Sequence, residues 1–216
     1  MTFAQPAADC ALCPRLHQFR QANRSTHVGY FNAPVPSFGR DDAWLLIVGL
    51  APGLHGANKT GRPFTGDYAG DLLYATLTKK GLAEGQYDKR KDDGLTLIGC
   101  RVTNAVRCVP PQNKPEGAEI KACNAFLKAE LDTLPKLTTL LALGGIAHGA
   151  VLSALGLRKA AYRFGHGAIH PLPQGLLLAD SYHCSRYNTN TGRLTASMFE
   201  DVFDKVLAHQ AAATSP

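Results

Sequence analysis

Strand-like and helix-like segments alternate along this sequence, and that alternation restricts the possible folds more than any other feature. Short apolar runs of the length and composition of buried strands lie at Ala43–Val48, Leu95–Thr103, Thr138–Leu143 and Gly175–Asp180. Helical patterns lie between and after them, at residues 67–80, 116–134, 146–155 and 195–208. Strands that alternate with helices pair in parallel. The sequence therefore predicts an α/β fold, a three-layer sandwich with a central, mostly parallel four-stranded sheet flanked by helices.

The remaining segments are predicted to be connections. Residues 10–27 read as a cysteine pair followed by a short basic helix, and residues 28–42 as an irregular stretch packed on the domain. Residues 84–93 are polar and predict a solvated connection, whereas residues 158–175 favour a loop or short hairpin. Because no linker is long enough to divide the chain, we expect one domain over residues 1–216.

The loop after the first predicted strand is the richest in functional groups. Residues 49–70 combine several glycines and two prolines with polar side chains: His55, Asn58, Lys59, Arg62, Thr65 and Asp67. Glycine lets a backbone turn sharply and approach a ligand closely. In an α/β protein such a loop lies beyond the carboxyl ends of the strands, where ligands bind. The sequence predicts a binding site there.

Charge and composition narrow the class of partner. The net charge of +6 favours a polyanion, most simply nucleic acid. No apolar run approaches the length of about 18 residues that a membrane span needs, and the N-terminus lacks the basic start and hydrophobic stretch of a secretory signal. We expect a cytoplasmic monomer with no membrane partner.

Four of the six cysteines form a candidate metal site. Cys10 and Cys13 form a C-x-x-C pair, and Cys108 and Cys123 are close together nearly a hundred residues later. In a reducing compartment such cysteines are more often ligands than disulfides. Four thiolates suit either a tetrahedral zinc ion or an iron-sulfur cluster, and the sequence alone leaves both open. Of the other two, Cys100 reads as a core residue and Cys184 has no predicted role.

A third polar cluster follows the fourth predicted strand. Residues 183–195 contain His, Ser, Arg, Tyr, Asn and Thr side chains, which suit phosphate contacts. If the four strands are parallel, this loop, the 49–70 loop and Asn104 all lie at the same sheet edge. The sequence then predicts one pocket built from three clusters.

Three motifs carry a resemblance to a known family. They are G-L-A-P-G-L-H-G-A-N-K-T-G-R-P-F-T-G-D at residues 49–67, T-N-A-V-R-C-V-P-P-Q-N-K-P at 103–115 and Y-H-C-S-R-Y-N-T-N-T-G-R-L-T at 182–195. With the four cysteines, they resemble the family 5 (type b) uracil-DNA glycosylases, the iron-sulfur branch of the uracil-DNA glycosylase superfamily. The match runs from Cys10 to about Leu207.

The resemblance implies a role for each matching position. Asp67, Asn104 and His183 are implied to be catalytic, and the implied substrate-binding residues are Gly49, Ala51, Gly53, Phe64, Asn104 and His183. Implied DNA contacts are Lys59, Arg62, Ser185, Arg186, Tyr187 and Asn188, and a 4Fe-4S cluster is implied on Cys10, Cys13, Cys108 and Cys123. Phe64 would stack on a flipped base, Asn104 would bond its amide edge, and His183 would meet the uracil O2. Asp67 would position water or stabilise the sugar cation.

The implied activity is that of a monofunctional DNA glycosylase, which excises uracil and leaves an abasic site. Leu50 and Ala51 carry no carboxylate where other branches of the superfamily have a polar residue, an absence that is itself characteristic of family 5. Gly53 stands where the uracil-only branch has a tyrosine, which predicts a wider pocket that also accepts hypoxanthine, xanthine or ethenocytosine. The alternative is a non-catalytic iron-sulfur DNA-binding protein with a decayed pocket. A hydrolase of free nucleotides is less favoured because the glycine-rich loop lacks a P-loop pattern.

Overall fold

The computed structural model describes residues 5–214, which form two sheets and seven α-helices. The strands are β1 (Phe38–Gly39), β2 (Leu45–Gly49), β3 (Ala83–Glu84), β4 (Thr96–Leu97), β5 (Cys100–Asn104), β6 (Thr139–Leu143), β7 (Ile169–Pro171) and β8 (Leu177–Ser181). The helices are α1 (Pro14–Thr26), α2 (Ala57–Thr60), α3 (Tyr68–Lys79), α4 (Gly117–Thr133), α5 (Gly145–Ala154), α6 (Arg186–Asn190) and α7 (Ala196–Thr214). Three 3-10 turns lie at Pro111–Asn113, Lys159–Ala161 and Pro173–Gly175.

Four parallel strands form the centre of the main sheet, as the sequence predicts. Their order is β5-β2-β6-β8. Every residue of β2, β5 and β6 is buried. Burial on both faces explains why β2 and β6 read as largely apolar runs, whereas β5 also buries Arg101, Thr103 and Asn104. Helices on both faces exclude water from the sheet, so the three-layer α/β architecture is confirmed.

The main sheet nevertheless has six strands, not four. β1 pairs antiparallel with β5 at one edge, and β7 pairs antiparallel with β8 at the other. Both lie in segments predicted to be irregular or hairpin-like, and both are too short to leave a periodic pattern. Their pairing is decided by the neighbouring strand rather than by their own sequence.

The predicted second strand, Leu95–Thr103, is in fact two strands. β4 pairs with β3 in a separate two-stranded sheet, whereas β5 joins the main sheet. Gly99 lies between them with a φ of +64°, a left-handed conformation that breaks the extended backbone. The polar connection predicted at residues 84–93 therefore lies within a β-hairpin.

Two apolar clusters hold the helices against the sheet. On one face, side chains of α3 and α7 such as Leu73, Leu77 and Phe199 form one cluster with apolar side chains of the sheet. On the other face, α4 and α5 supply Leu127 and Val151 among others. Each face buries enough apolar surface to fix the sheet, and with it the positions of the loops at the strand ends.

The strand register gathers those loops at one edge. Gly49 at the end of β2 lies opposite Asn104 at the end of β5, and the loop of His183 begins just after β8. All three leave the sheet at the carboxyl ends of its parallel strands, where α/β folds bind ligands. Within residues 5–214, none of the helices is both long and apolar enough to span a membrane.

Candidate active site

The three loops enclose one pocket of about 560 Å³ at this edge of the sheet. Residues from all three sequence motifs and from the start of α3 line it. The lining residues are Leu50, Ala51, Pro52, Gly53, Ala57, Phe64, Gly66, Asp67, Tyr68, Ala69, Asn104, Asn113, His183, Ser185 and Arg186. The volume lies in the range of small-molecule sites. The three polar clusters therefore converge on one pocket, as the sequence predicts.

Asp67 lies where the long loop meets α3. It is the N-cap of that helix, and its Oδ1 accepts a hydrogen bond from Gly70 N at 3.1 Å. Its Oδ2 is turned toward the turn at Gly53–Gly56. A Cβ at Gly53 would lie 3.2 Å from Oδ2, and one at Gly56 would lie 2.9 Å from the Asp67 Cγ and closer still to Oδ2. Glycine at both positions leaves room for the Asp67 carboxylate, and the requirement for glycine is stricter at Gly56.

Phe64 forms an aromatic wall of the pocket and has an unusual backbone. Its φ of +51° is left-handed, a conformation that costs a bulky residue free energy. Contacts with neighbouring residues must offset this cost. The Tyr74 hydroxyl donates to the Pro63 carbonyl at 2.6 Å, and α3 packs so closely on the Phe64 carbonyl that only glycine fits at Gly70. The Phe64 ring lies 5.9 Å from that of His183, at an angle of 30°.

Asn104 and His183 offer unsatisfied polar groups to the pocket. Asn104 is 3% exposed, and within the described chain its side-chain amide has no hydrogen-bond partner. The ring nitrogens of His183 likewise have none among residues 5–214. Because buried polar groups are normally paired, the Asn104 amide is suited to receive a polar ligand, and the half-buried ring of His183 lines the same pocket.

Burial also sets the charge of His183. Desolvation lowers its pKa below the ordinary histidine range, and the nearby Asp67 carboxylate only partly opposes the shift. The imidazole is therefore neutral at neutral pH. A neutral ring can donate one hydrogen bond without bringing a positive charge into the pocket.

The loop that carries His183 is held by its own residues. Asn188 Nδ2 donates to the His183 carbonyl at 2.8 Å, and Ser185 caps α6 by accepting from Asn188 N. Arg186 lies 5.6 Å above the ring of Tyr68, and Tyr187 is 73% exposed. Tyr187 thus projects from a loop that Asn188 and Ser185 fix beside the pocket.

Of the two cations of the 49–70 loop predicted to contact DNA, only Lys59 is exposed. Its Nζ lies 5.5 Å from the centre of the Tyr30 ring. Arg62 is 3% exposed, and its guanidinium forms two 2.7 Å hydrogen bonds with the Asp93 carboxylate. Because its charge is matched and buried, Arg62 is removed from the predicted DNA contacts. It instead ties the loop to the β3–β4 hairpin.

Among the pocket residues with polar side chains, Tyr68 and Asn113 are the two that the sequence does not single out. Tyr68 follows Asp67 at the start of α3, and Asn113 lies in the turn at Pro111–Asn113 with a left-handed φ of +57°. Asn113 belongs to the second motif, so the motif was the available signal. Tyr68 has no such signal, since an aromatic residue at a helix start is ordinary.

The four predicted ligand cysteines surround one small cavity, between α1, the loop after β5 and α4. Cys10, Cys13, Cys108 and Cys123 all line it, with Leu16, Val106 and Phe126 as apolar neighbours, and all four thiols are free. Burial raises the pKa of Cys13 and of Cys108 to about 11. The other two cysteines are buried in the core, where Cys100 and Cys184 donate to backbone carbonyls.

A polar cluster supports the strand that leads to His183. Asp180, fully buried on β8, contacts His148 Nδ1 at 2.7 Å and His170 Nε2 at 3.1 Å. His148 Nε2 also contacts the Tyr162 carbonyl at 2.9 Å. These contacts join α5, β7 and β8 and fix the end of the strand from which the His183 loop departs.

Comparison with known proteins identifies the family. A sequence profile of the uracil DNA glycosylase superfamily matches residues 36–207. The chain belongs to this superfamily. It is 48% identical over 205 residues to a type-5 uracil-DNA glycosylase of Thermus thermophilus, with 93% of each chain covered. It is 37% identical over 210 residues to a type-5 uracil-DNA glycosylase of Pyrobaculum aerophilum, covering 95% of this chain and 91% of that protein.

The same comparison separates the branches of the superfamily. A type-4 uracil-DNA glycosylase of Pyrobaculum aerophilum is 33% identical over 151 residues, which cover 69% of this chain and 63% of that protein. The type-5 proteins of Thermus thermophilus and Pyrobaculum aerophilum match over more of the chain, 93% and 95% of it. The resemblance to the family 5 uracil-DNA glycosylases drawn from the three motifs is confirmed.

Proposed function

We propose that the protein is a monofunctional DNA glycosylase that flips uracil out of DNA and hydrolyses its N-glycosidic bond, leaving an abasic site. The observation that carries the proposal is the convergence of Phe64, Asp67, Asn104 and His183 on one pocket. Its membership of the type-5 branch, whose curated members are named uracil-DNA glycosylases, supports the same conclusion.

Base recognition follows from the groups that line the pocket. The Phe64 ring provides a stacking face for the flipped base. The Asn104 amide carries both a donor and an acceptor, which match the N3–H and adjacent carbonyl of uracil. His183 reaches the O2 side. Each group is held by the fold before substrate arrives, which reduces the free-energy cost of ordering the site.

The chemical step breaks the C1′–N1 bond, and its electron pair leaves with uracil. The negative charge spreads onto O2, where the N–H of neutral His183 donates a hydrogen bond that strengthens as the charge develops. In this proposal the Asp67 carboxylate, which lines the same pocket, faces the sugar, where it stabilises the cationic sugar and orients a water molecule. The water oxygen bonds to C1′ and releases a proton to solvent.

The substrate range extends beyond uracil in this proposal. Gly53 has no side chain beside the base, so bulkier bases and C5 substituents are not excluded by a clash. Without a carboxylate at Leu50 or Ala51, the enzyme favours bases that leave as stable anions or from labile bonds. Hypoxanthine, xanthine and ethenocytosine are the candidates.

The DNA surface in this proposal surrounds the pocket mouth. Lys59 and Arg186 are exposed cations suited to phosphates, and Ser185 and Asn188 keep the loop in place. The exposed ring of Tyr187 is suited to enter the duplex where the base leaves.

We also propose that Cys10, Cys13, Cys108 and Cys123 hold a 4Fe-4S cluster, which would tie α1 to the loop after β5 and to α4. Within residues 5–214, only one set of three His, Cys, Asp or Glu ligand atoms lies mutually within 4.8 Å, and no cysteine belongs to it. A single tetrahedral zinc ion needs sulfurs about 3.8 Å apart. The wider spacing around a shared cavity therefore fits a multi-iron cluster better.

The cluster is tested by iron and acid-labile sulfide analysis of the purified protein and by absorbance near roughly 400 nm. Cys108→Ser is expected to lower soluble yield because the ligand set is incomplete. Cys100→Ser, a buried cysteine outside the set, serves as the matched control for iron content. Active protein that contains stoichiometric zinc and no iron would overturn this assignment.

The remaining features of the proposal follow from the family and the cysteine placement. Residues 1–216 act as one glycosylase unit. The segment before the profile match carries Cys10 and Cys13, which share a ligand set with Cys108 and Cys123 inside the match. The enzyme works as a monomer on DNA in the cytoplasm. Sedimentation with and without a uracil-containing oligonucleotide measures the oligomeric state. A dimer in the absence of DNA would contradict the proposed monomer.

The activity is tested on oligonucleotides that carry one uracil, hypoxanthine, xanthine or ethenocytosine, followed by alkaline cleavage of abasic sites. His183→Ala is expected to lower the single-turnover rate on uracil by about 10²-fold to 10³-fold, the effect of one such donor. His209→Ala, an exposed histidine on α7, is the matched control. Absence of cleavage by wild type on all four substrates, with DNA binding retained, would favour the non-catalytic alternative.

A further inference from the structure

A buried arginine contacts the cysteine site and has no role in the reaction described above. Arg20, on α1, is 0% exposed. Its Nη1 donates to the Cys108 sulfur at 3.0 Å, and its Nη2 donates to the Cys10 carbonyl at 2.8 Å. It therefore bridges the two cysteine pairs, one contact to each.

Among residues 5–214, no carboxylate balances the charge of Arg20. Three other buried arginines of the described chain each have an acidic partner: Arg62 pairs with Asp93, and Arg101 and Arg107 share Glu130. Arg20 forms no ion pair with an acidic residue of the described chain, and its Nε is buried without a hydrogen-bond partner. A buried guanidinium without a counter-charge is costly and normally pairs.

The cysteine sulfurs are the groups beside Arg20 that can supply this negative charge. His17 Nδ1, at 3.2 Å from Nη2, offers a lone pair but no charge. Thiolates bound to iron keep their negative charge, whereas free thiols are neutral. The cysteines therefore provide a counter-charge for Arg20 only when they bind metal.

We propose that Arg20 is the counter-charge of the cluster and sets its reduction potential; this inference rests on the proposed 4Fe-4S site. Reduction adds one electron to the cluster and so adds negative charge. A fixed cation and an N–H donor on a ligand sulfur stabilise the reduced form more than the oxidised form. Arg20 thus raises the potential, and its loss lowers it.

The alternative is that Arg20 only ties the Cys10 segment to α1 through its bond to the Cys10 carbonyl. Such a tie would affect stability but not the electron equilibrium of the cluster. The midpoint potential therefore separates the two roles, whereas soluble yield or activity would not.

The test compares the midpoint potentials of wild type, Arg20→Gln, Arg20→Lys and Arg24→Gln by anaerobic spectroelectrochemical titration. Arg24→Gln removes a charge one turn further along α1, from an exposed arginine, and is the matched control. We expect Arg20→Gln to lower the equilibrium constant for reduction at least tenfold, a shift of about 59 mV to more negative potential. Arg20→Lys keeps the charge but loses the two parallel N–H donors of the guanidinium, so its midpoint potential should lie between those of wild type and Arg20→Gln. The control should match wild type.

Each outcome decides a different statement. Wild-type protein without iron and sulfide would overturn the cluster and leave Arg20 without a partner to act on. Intact clusters with equal potentials in wild type and Arg20→Gln would overturn the role of Arg20 and leave the cluster standing. If Arg20→Gln yields no folded protein, Arg20→Lys decides: a reduction constant lowered at least threefold supports the role, and an unchanged one refutes it.

Discussion

Replacement of Gly56 by alanine is expected to disable the enzyme through Asp67. The new Cβ would lie 2.9 Å from the Asp67 Cγ and closer still to Oδ2, against an ordinary contact of 3.4–4 Å. The carboxylate must therefore move by roughly 1 Å. A displacement of this size costs about 10²-fold in rate at a well-aligned site, or about 2.7 kcal/mol of transition-state stabilisation.

Gly53→Ala provides a matched control on the same carboxylate. Its Cβ would lie 3.2 Å from Oδ2, so a shift of a few tenths of an ångström relieves the contact. We expect its kcat/KM on uracil to fall by less than about threefold, because catalysis falls steeply only with larger displacements. Gly53→Tyr, which would test pocket width, must be compared with Gly53→Ala for the same reason.

The global fold should survive the change at Gly56. The main cost is the cap that Asp67 Oδ1 provides to Gly70 N, worth about 1 kcal/mol. For a chain of 216 residues this lowers Tm by about 2–4 °C. Thermal unfolding followed by circular dichroism therefore separates a rate effect from loss of folded protein.

The assay is single-turnover excision of uracil from a duplex, with wild type, Gly53→Ala, Gly56→Ala, Asp67→Asn and the Gly56→Ala/Asp67→Asn double variant. If Gly56 acts through Asp67, the double variant should be within about threefold of Asp67→Asn, since the two changes remove the same interaction. Equal losses from Gly53→Ala and Gly56→Ala, or fully additive losses in the double variant, would refute the reasoning.

Three further predictions follow from the pocket and the buried ion pairs. Burial lowers the pKa of His183, and the neutral ring is the hydrogen-bond donor. We therefore expect kcat/KM to rise with pH through an inflection below the ordinary histidine range and then to stay flat. An inflection above pH 7 would contradict this. Burial alone would raise the pKa of Asp93, but hydrogen bonds from Arg62 and two backbone amides lower it, so the unfolded state takes up protons first and the unfolding free energy should fall as pH drops below about 4. Asp93→Asn should flatten that dependence in urea titrations, and an unchanged slope would exclude the pair as its source. Phe64→Ala should weaken binding of a uracil-containing single strand by about 1–3 kcal/mol, the range for one stacked base, while binding of a thymine-containing strand of the same length stays the same.

The sequence predicts the interior of the fold better than its edges. β2 and β6 are buried on both faces, and so they read as apolar runs whatever their surroundings. The edge strands β1 and β7 are two and three residues long, and their extended form depends on pairing with β5 and β8. No local pattern encodes a pairing that is decided by a partner far along the chain.

The site divides in the same way. The positions of Asp67, Asn104 and His183 follow from strand ends and motifs, because parallel strands deliver their carboxyl ends to one edge. Arg62 does not follow, since its charge is cancelled by Asp93 from a hairpin that reads as solvated polar sequence. A motif reveals which side chains are present in a loop, but only the packed structure reveals which of them are already paired.

The pairing of Arg62 with the hairpin makes the enzyme vulnerable at a distance from its pocket. The backbone between β3 and β4 is largely exposed, and it includes the basic run Lys89–Lys91, at which trypsin-like proteases cut. This same segment delivers Asp93 to Arg62, and the Tyr87 hydroxyl to the Phe64 carbonyl. A single nick there would leave the main sheet intact while releasing the loop that shapes the base pocket. Proteolytic inactivation would then precede unfolding, and a chain cut once would still look native to circular dichroism.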